Sequence, residues 1–383
     1  MVAYTDYSID ARVRREAETL AAEPNFEVKV LTLKQDPSPR ALRLNGVDIL
    51  ELNIEKYQGK SNFCYILSYF HFLVLAFNKI NGLVFNKDLD LVHIHNMPNF
   101  LILSAITPFL IGKKIVLDIH DTMIETYQAK FEKGMGSALR KIMKLEEKVC
   151  SALAHKIITV NQIQKEALVN RGIPESKITI SLNSPDPRIF NGGRPNKDRK
   201  SDGFNIVYHG TVSKRLGVDL AIQAMAELSP GMPDLALHII GEGDDMREFQ
   251  ELAKKLGVEN RIRFWGKVSL DQLVDILKQM DAGLVPNRRN AATELMLPVK
   301  MMECIALDIP VIVPRLQAIE YYFNEEMVTF FEPGDLPSLT KAITELYKMG
   351  ENRSAKALKA RKFLDQYGWE THKSTLLNLY HSL

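Results

Sequence analysis

The sequence predicts an α/β chain of two domains, each a parallel sheet covered by helices. Three observations predict it. Short apolar runs recur as candidate buried strands, helix-like stretches separate them, and the same plan occurs on both sides of a polar segment. At 383 residues the chain is too long for one ordinary core and suits two domains of about 150–200 residues each.

In the first half the strand candidates are Val28–Leu33, Leu91–His95, Lys114–Ile119 and Lys156–Val160. Parallel return between such runs needs a crossover, which supplies the helices. The most apolar window, Phe63–Phe77, carries His71 and falls short of the roughly 20 residues needed to cross a bilayer. It reads as a helix packed under the first sheet. The competing reading is a membrane-surface helix, flanked by Lys56, Lys60 and Lys79 and supported by the basic amphipathic stretch Leu139–Lys156. Next, Ile189–Gly203 is rich in Gly, Pro and charge with almost nothing to bury, and reads as a linker. The second half repeats the plan with Asn205–His209, Leu235–Ile240, Arg261–Trp265, Ala282–Pro286 and Pro310–Val313. A helical pattern over Ser354–Leu383 breaks near Tyr367–Gly368, and a last helix from Trp369 sets Leu376, Leu377 and Tyr380 on one side. That face needs a partner and is expected to cross back onto the first domain. The domains are then 1–188 joined by 364–383, and 204–363.

Composition narrows the function. With 49 basic against 47 acidic residues and a net charge of +2, the chain lacks the bias of a nucleic-acid binder. Three distant cysteines, Cys64, Cys150 and Cys304, indicate neither a disulfide framework nor a structural zinc site. With a charged stretch at Asp10–Glu18 and no basic-then-apolar leader, the expected location is the cytoplasm, peripheral at the inner membrane face if the surface-helix reading holds.

In open parallel sheets ligands sit beyond the carboxyl ends of the strands. In the second half the segment Thr293–Val313 places a helix start at Pro298, with Lys300 and Glu303 on one face. Free amides there suit a phosphate, Lys300 adds a charge, and Glu303 suits a pair of ribose hydroxyls. A solvated Lys–Glu pair is the plain alternative. YHGTVSKRLG after the strand Asn205–His209 offers bare backbone at Gly210 and Thr211 and cations at Lys214 and Arg215. Gly241 and Gly243 end the next strand, where an ordinary strand-to-helix turn is the equal alternative, and FWGKV, with Gly266 and Val268, offers backbone groups to a base edge or is simply a packed strand end. In the first half His93 and His95 share one face of a strand, Asn96 follows, and His120 and Asp121 tip the run LDIHD. These histidines lack a third ligand at a recognisable spacing, so no metal site is expected.

Taken in order, SIDARVRREAETL, HIHNMPNFL, VLDIHD, ITVNQ, NSPDPRIF, HGTVSKRLGVDLAIQA, IIGEGDD, RIRFWGKV, LPVKMMECIALDIPVIV and FLDQYGWE resemble the retaining GT-B glycosyltransferases of family 4, the group 1 glycosyl transferases. The similarity spans nearly the whole chain. It implies two Rossmann-like domains facing a central cleft, a nucleotide-diphosphate sugar as co-substrate, with a UDP-sugar the leading expectation, and no metal or other cofactor. His120 resembles the histidine placed beside the donor sugar. Glu303 resembles the second glutamate of an E-x7-E motif, which binds the donor ribose. The first glutamate's position holds Leu295, with Glu294 one place early, and Thr211 and Leu216 stand where the family has arginine and lysine in its phosphate loop. Asp6–Arg12 replaces the usual glycine-rich turn.

The implied catalytic set is His120, Arg215 and Lys300. The donor set is Gly210, Thr211, Lys214, Gly241, Gly266, Val268, Glu294, Leu297, Pro298, Val299 and Glu303, and the acceptor set is Arg12, His95, Asn96 and Asp121. Charge separation at the anomeric bond then rests on Arg215, Lys300 and backbone amides, with the acceptor a saccharide or lipid-linked saccharide. A sugar-nucleotide 2-epimerase and a catalytically weak nucleotide-sugar-binding homologue are the alternative readings.

Overall fold

A computed structural model of the chain describes residues 1–35, 40–57, 59, 61–130, 136–190 and 203–383. Lys60 and most of the linker Ile189–Gly203 lie outside the described residues. The chain forms two compact units, Met1–Asn183 with Glu370–Leu383, and Ser184–Trp369.

The N-terminal unit holds β1 (Val28–Leu33), β2 (Ala41–Leu44), β3 (Val47–Leu52), β4 (Leu91–His95), β5 (Lys114–Ile119), β6 (Lys156–Thr159) and β7 (Ile178–Ile180). They run β1-β3-β2 and β4-β5-β6-β7. Val2 joins the two groups by bridging Leu31 and Ile94. All pairings are parallel except β2 with β3, so the sheet is mixed rather than the purely parallel one expected. The exception is a hairpin: Asn45 and Gly46 turn at φ 50° and 84°, the left-handed pair that a two-residue turn requires. Beneath Met1, at the amino ends of β1 and β4, lies a cavity of about 530 Å³ lined by Phe26, Val28, Ile80, Leu91 and Tyr380 among others. That is the opposite end of the sheet from the one that binds ligands.

The apolar window continues further than its composition suggested. Ser61 caps a helix by accepting from the Cys64 amide, and the helix runs from Asn62 to Phe85, 24 residues, long and apolar enough by length and composition to cross a membrane. The reading that the segment is too short is therefore corrected: Asn78, Lys79 and Asn81 keep the helix without breaking it. One face, Tyr69, Phe72, Ala76 and Ile80, is buried in the core with Ile94 and Leu117, which makes it a structural part of this unit.

The last helix, Trp369–His381, follows a break at Gly368 and belongs from Glu370 onward to the N-terminal unit. Tyr380 bonds His93 Nδ1 at 2.7 Å and sets its ring edge on Phe26. Its inward face is His372, Leu376 and Leu379, with Leu377 only half-buried. Residues 364–369 stay with the C-terminal unit, where Tyr367 and Phe363 pack against Tyr322.

The C-terminal unit holds β8 (Phe204–His209), β9 (Leu235–Ile240), β10 (Ile262–Gly266), β11 (Ala282–Leu284), β12 (Val311–Pro314) and β13 (Thr329–Phe331), in the order β10-β9-β8-β11-β12-β13 and all parallel. The chain builds outward from β8 in one direction and then from β11 in the other. The switch between β8 and β11 is where such a sheet opens for a ligand.

Candidate active site

At the switch point of the C-terminal unit the backbone is left bare. Gly210 follows β8 with φ 113° and Gly241 follows β9 with φ 127°. A Cβ on Gly241 would collide with the Gly210 carbonyl, so both turns require glycine. The helix Val299–Ala306 starts nearby, with Pro298 as its cap and no side chain on its first amides. The expected start at Pro298 is thus one residue early: φ −68° suits a helix, but ψ 122° keeps Pro298 extended. Uncapped amides and the dipole leave this end electropositive.

Lys300 stands in the first turn of that helix. Its Nζ lies 4.1 Å from the centre of the Tyr208 ring and 3.3 Å from where a Cβ on Gly210 would sit. The atom is sealed from solvent and has no hydrogen-bond partner among the described residues. Burial lowers its pKa to about 8, against the attraction of Glu303. Glu303 Oε2 lies 2.7 Å from His209 Nε2. Sequence reasoning passed over His209, although its place directly before Gly210 was the available signal.

The other candidates spread around this corner. Lys214 and Arg215 are exposed on a short 3-10 turn, and the Lys214 amide is anchored by Asp245 Oδ2 at 2.8 Å. The Thr211 carbonyl accepts from Tyr208 Oη. Gly266, at φ 67°, and half-buried Val268 end and follow β10, while Leu297 and Pro298 are buried and Val299 half-buried. Glu294 is a correction. One of its oxygens bonds Arg289 and the other takes the Gln317 amide at 2.8 Å, so it serves the next helix start, and Leu295 is buried.

In the N-terminal unit the tips of β4 and β5 carry an ion cluster. Arg12 clamps Asp118 with two bonds of 2.8 and 2.9 Å, donates to the Ser181 carbonyl and pairs with Glu16 at 3.2 Å. Asp118 Oδ2 also bonds His120 Nε2 at 2.9 Å, and His95 Nδ1 lies 3.1 Å from His120 Nε2. Asn96 joins the two tips, donating to the Asp121 carbonyl at 2.7 Å and accepting from the His120 amide at 2.8 Å. Burial opposes ionisation of Asp118, but Arg12 and His120 hold its carboxyl well below the usual range. For His120 burial works downward, yet Asp118 prevails and raises its pKa. Burial pushes Glu16 up to about 7 and pulls His95 down to about 4.

Three acceptor-side expectations change as a result. Arg12, His95 and Asn96 are buried and engaged with their neighbours, so they position other groups rather than face a ligand. His120, with a fifth of its side chain accessible, and exposed Asp121 remain available. Asp118 and Glu16 were missed. Ligand atoms of Glu16, His93, His95 and Asp118 come within 4.8 Å of one another, a grouping the spacing did not reveal, and the Arg12 guanidinium supplies the positive charge among their carboxylates.

Two doubly wound units, with a terminal helix that returns to the first, define the GT-B class of fold. Solved structures agree: sucrose-phosphate synthase from Thermosynechococcus elongatus superposes with a TM-score of 0.78 at 19% identity over 97% of this chain and 92% of that one. HepE from Anabaena in complex with UDP gives 0.72 at 14% identity over 100% and 99%. The profile described as Glycosyltransferase Family 4 matches residues 11–187 and that of Glycosyl transferases group 1 matches 203–349. The chain belongs to this family. Among relatives, a GDP-mannose-dependent alpha-(1-6)-phosphatidylinositol monomannoside mannosyltransferase of Mycolicibacterium smegmatis is 28% identical over 43% of this chain, a match that spans only 44% of the relative's own length. N-acetyl-alpha-D-glucosaminyl L-malate synthase of Bacillus anthracis is 22% identical over 81% and 79%.

Proposed function

We propose that this protein transfers a sugar from a nucleotide-diphosphate donor to a saccharide or lipid-linked saccharide acceptor, with retention of configuration and without a divalent ion. The carrying observation is Lys300: a desolvated ammonium over the Tyr208 ring with no hydrogen-bond partner among the described residues, beside bare glycine backbone and the open amides of a helix start. That combination asks for an anion, and a diphosphate fits it. Glu303, held by His209, is the ribose ligand, and exposed Arg215 and Lys214 are further cations for the leaving group. As the anomeric bond breaks, negative charge grows on the diphosphate. Lys300, Arg215 and the amides stabilise it, and loss of one such group costs on the order of 10²–10³ in rate. The diphosphate oxygen takes the acceptor proton, which removes the need for a protein base. In the N-terminal unit His120 is the sugar-side group, held by Asp118, with Asp121 on the acceptor side and Asn96 positioning the two strand tips.

The name of one relative, GDP-mannose-dependent, supports a nucleotide sugar, and the UDP in the HepE complex supports keeping a UDP-sugar as the leading candidate beside a GDP-sugar. Calorimetry against UDP, GDP and their sugars, with chelator present throughout, tests the reading. Binding of one nucleotide that is lost in Glu303→Ala is the expected result. No binding to any of them, or binding only after a divalent ion is added, would overturn it.

A further inference from the structure

We propose that Tyr380 and His93 are positioning residues for His120: the tyrosine hydroxyl fixes the His93 proton on Nε2, and His95, stacked on that ring, locks His120 with its Nδ1 left for the substrate. The inference deepens the proposed function and rests on it for the role of His120 alone.

Tyr380, His93, His95 and His120 form a row of rings inside the N-terminal unit. Tyr380 stands on the helix Trp369–His381 and sets its hydroxyl 2.7 Å from His93 Nδ1. His93 and His95 are alternate residues of β4 and so share a face. Their rings stack with centres 4.2 Å apart and planes 23° from parallel. His95 Nδ1 in turn lies 3.1 Å from His120 Nε2.

The tautomer of His93 follows from its two neighbours. Burial raises the pKa of Tyr380 well above the phenol range and lowers that of His93 well below the imidazole range, so a neutral phenol meets a neutral imidazole. One proton is then shared out between two ring nitrogens. Nε2 lies 4.0 Å from Glu16 Oε2, an oxygen with no hydrogen-bond donor among the described residues. A lone pair on Nε2 would face the lone pairs of that oxygen, whereas an N–H there faces an acceptor. The proton therefore belongs on Nε2, and Nδ1 accepts from Tyr380.

At the other end of the row both histidines point at Asp118. Its Oδ2 is 2.9 Å from His120 Nε2 and 3.3 Å from His95 Nδ1, so the two N–H groups converge on one oxygen. His95 is pinned between that oxygen and the His93 ring. His120 cannot turn Nε2 away without giving up Asp118, which leaves Nδ1 as its nitrogen for a ligand, with a fifth of the side chain accessible. Two apolar rings at 93 and 380 would fill the same core, because replacing both partners of a buried hydrogen bond costs little. What the polar pair adds is one tautomer, and with it one ring orientation at the foot of the stack.

Nitrogen NMR of the imidazole rings in the isotope-labelled full chain tests the assignment, with hydrolysis of UDP-glucose and GDP-mannose as the kinetic probe. Spectra of His93→Gln and His120→Gln identify the signals. Wild type should show His93 protonated on Nε2 with a hydrogen-bonded, unprotonated Nδ1. In Tyr380→Phe that Nδ1 signal should move to the position of a free imidazole nitrogen, and the His120 signals should shift with it. Misplacement by about 1 Å costs on the order of 10² in rate, so the smaller loss of order here should slow hydrolysis about tenfold while KM holds. His93→Gln, which removes the stacked ring, should move the His120 signals as well and stands in for Tyr380→Phe if that variant does not fold. Phe26→Leu trims the ring on which Tyr380 packs and keeps the hydroxyl, so it should leave the His120 signals in place. His93 protonated on Nδ1 in wild type, His120 signals unmoved by Tyr380→Phe and His93→Gln, or an equal movement in Phe26→Leu would overturn the proposal. If neither nucleotide sugar is bound or hydrolysed, the transferase reading falls, and the His120 shifts still decide whether the row holds that ring.

Discussion

Replacing Lys300 with methionine should stabilise the free protein and cripple it at the same time. Lys300 Nζ is sealed and has no hydrogen-bond partner among the described residues, and burial holds it at about 8 instead of 10.5. A depression of that size corresponds to roughly 3 kcal/mol against the charged form. The sign follows from proton counting. Between about pH 8 and 10.5 the unfolded chain binds the proton that the folded chain has released, so stability rises with pH through this window and the full penalty stands below it. Methionine is of similar length, lies well against the Tyr208 ring and carries no charge. Lys300→Met should therefore recover part of that energy, seen as a rise of several degrees in the melting transition of the C-terminal unit near neutral pH, with the difference from wild type shrinking above pH 10. Nucleotide affinity should move the other way, by a factor of 10² or more, as one buried cation facing a diphosphate is lost. In wild type, affinity should fall above about pH 8, since the diphosphate needs the ammonium. Differential scanning calorimetry from pH 7 to 11, with titration calorimetry against the preferred nucleotide, reads both arms. A variant that melts lower than wild type while binding nucleotide normally would refute the argument, because Lys300 would then be a structural cation with a partner of its own.

Arg12→Leu should cost roughly 3–5 kcal/mol, the usual consequence of leaving a buried carboxylate without its cation, and urea titration of the N-terminal unit measures it. His120 makes that unit sensitive to pH: its pKa is raised in the folded state, so the stabilisation is complete below its ordinary 6.5 and disappears as pH rises through the higher folded value. The urea midpoint should thus drop between pH 6 and 9 in wild type and stay flatter in His120→Gln. Replacing His209 with phenylalanine frees the Glu303 carboxylate and should weaken nucleotide binding about tenfold, one charge-assisted bond's worth, whereas a uridine-free phosphate probe such as pyrophosphate should bind unchanged. Gly241→Ala should abolish nucleotide binding altogether, since its Cβ would displace Gly210, and a retained thermal shift with UDP would contradict that.

Most strands were legible because their apolar runs are buried on both faces. Val28–Leu33, Leu91–His95, Lys114–Ile119 and Leu235–Ile240 were read to the residue. Strand β2 was not, because its four side chains are exposed and an edge strand needs no apolar pattern; the Asn45–Gly46 turn was its one readable mark. In the site, Gly210, Lys300 and Glu303 were visible as strand-tip and helix-start residues, and the structure brings them together. The ion cluster was hidden for a different reason. Arg12, Glu16, His95 and Asp118 come from three distant segments, and nothing local announces that a charge at one will meet a charge at another. The available signal was Asp118 itself: a carboxylate inside the apolar run KIVLDI cannot stay buried unless a cation reaches it.

The two units treat charge in opposite ways, and the contrast bears on which residues do chemistry. Around Asp118 the cluster is closed: Arg12 occupies both carboxylate oxygens, and only the His120 ring, bonded to one of them, keeps part of its surface accessible. A group so held can orient or polarise a substrate, but it has little freedom to exchange protons with the cluster behind it. Around Gly210 the arrangement is open, with one buried cation unmatched. The resemblance implies a glutamate at position 295, shortly before the helix Val299–Ala306, and a carboxylate there that reached Lys300 would compete for it. With leucine there and Glu294 turned to Arg289 and Gln317, the ammonium keeps a desolvation cost that, on the proposed function, a diphosphate would relieve. On this argument the departures from the family pattern are linked: restoring glutamate at position 295 alone should pair Lys300 in the free protein and weaken nucleotide binding, while restoring it together with Lys300→Met and arginine at position 211 should recover binding. A single Leu295→Glu variant that binds nucleotide more tightly would show that the departures are independent.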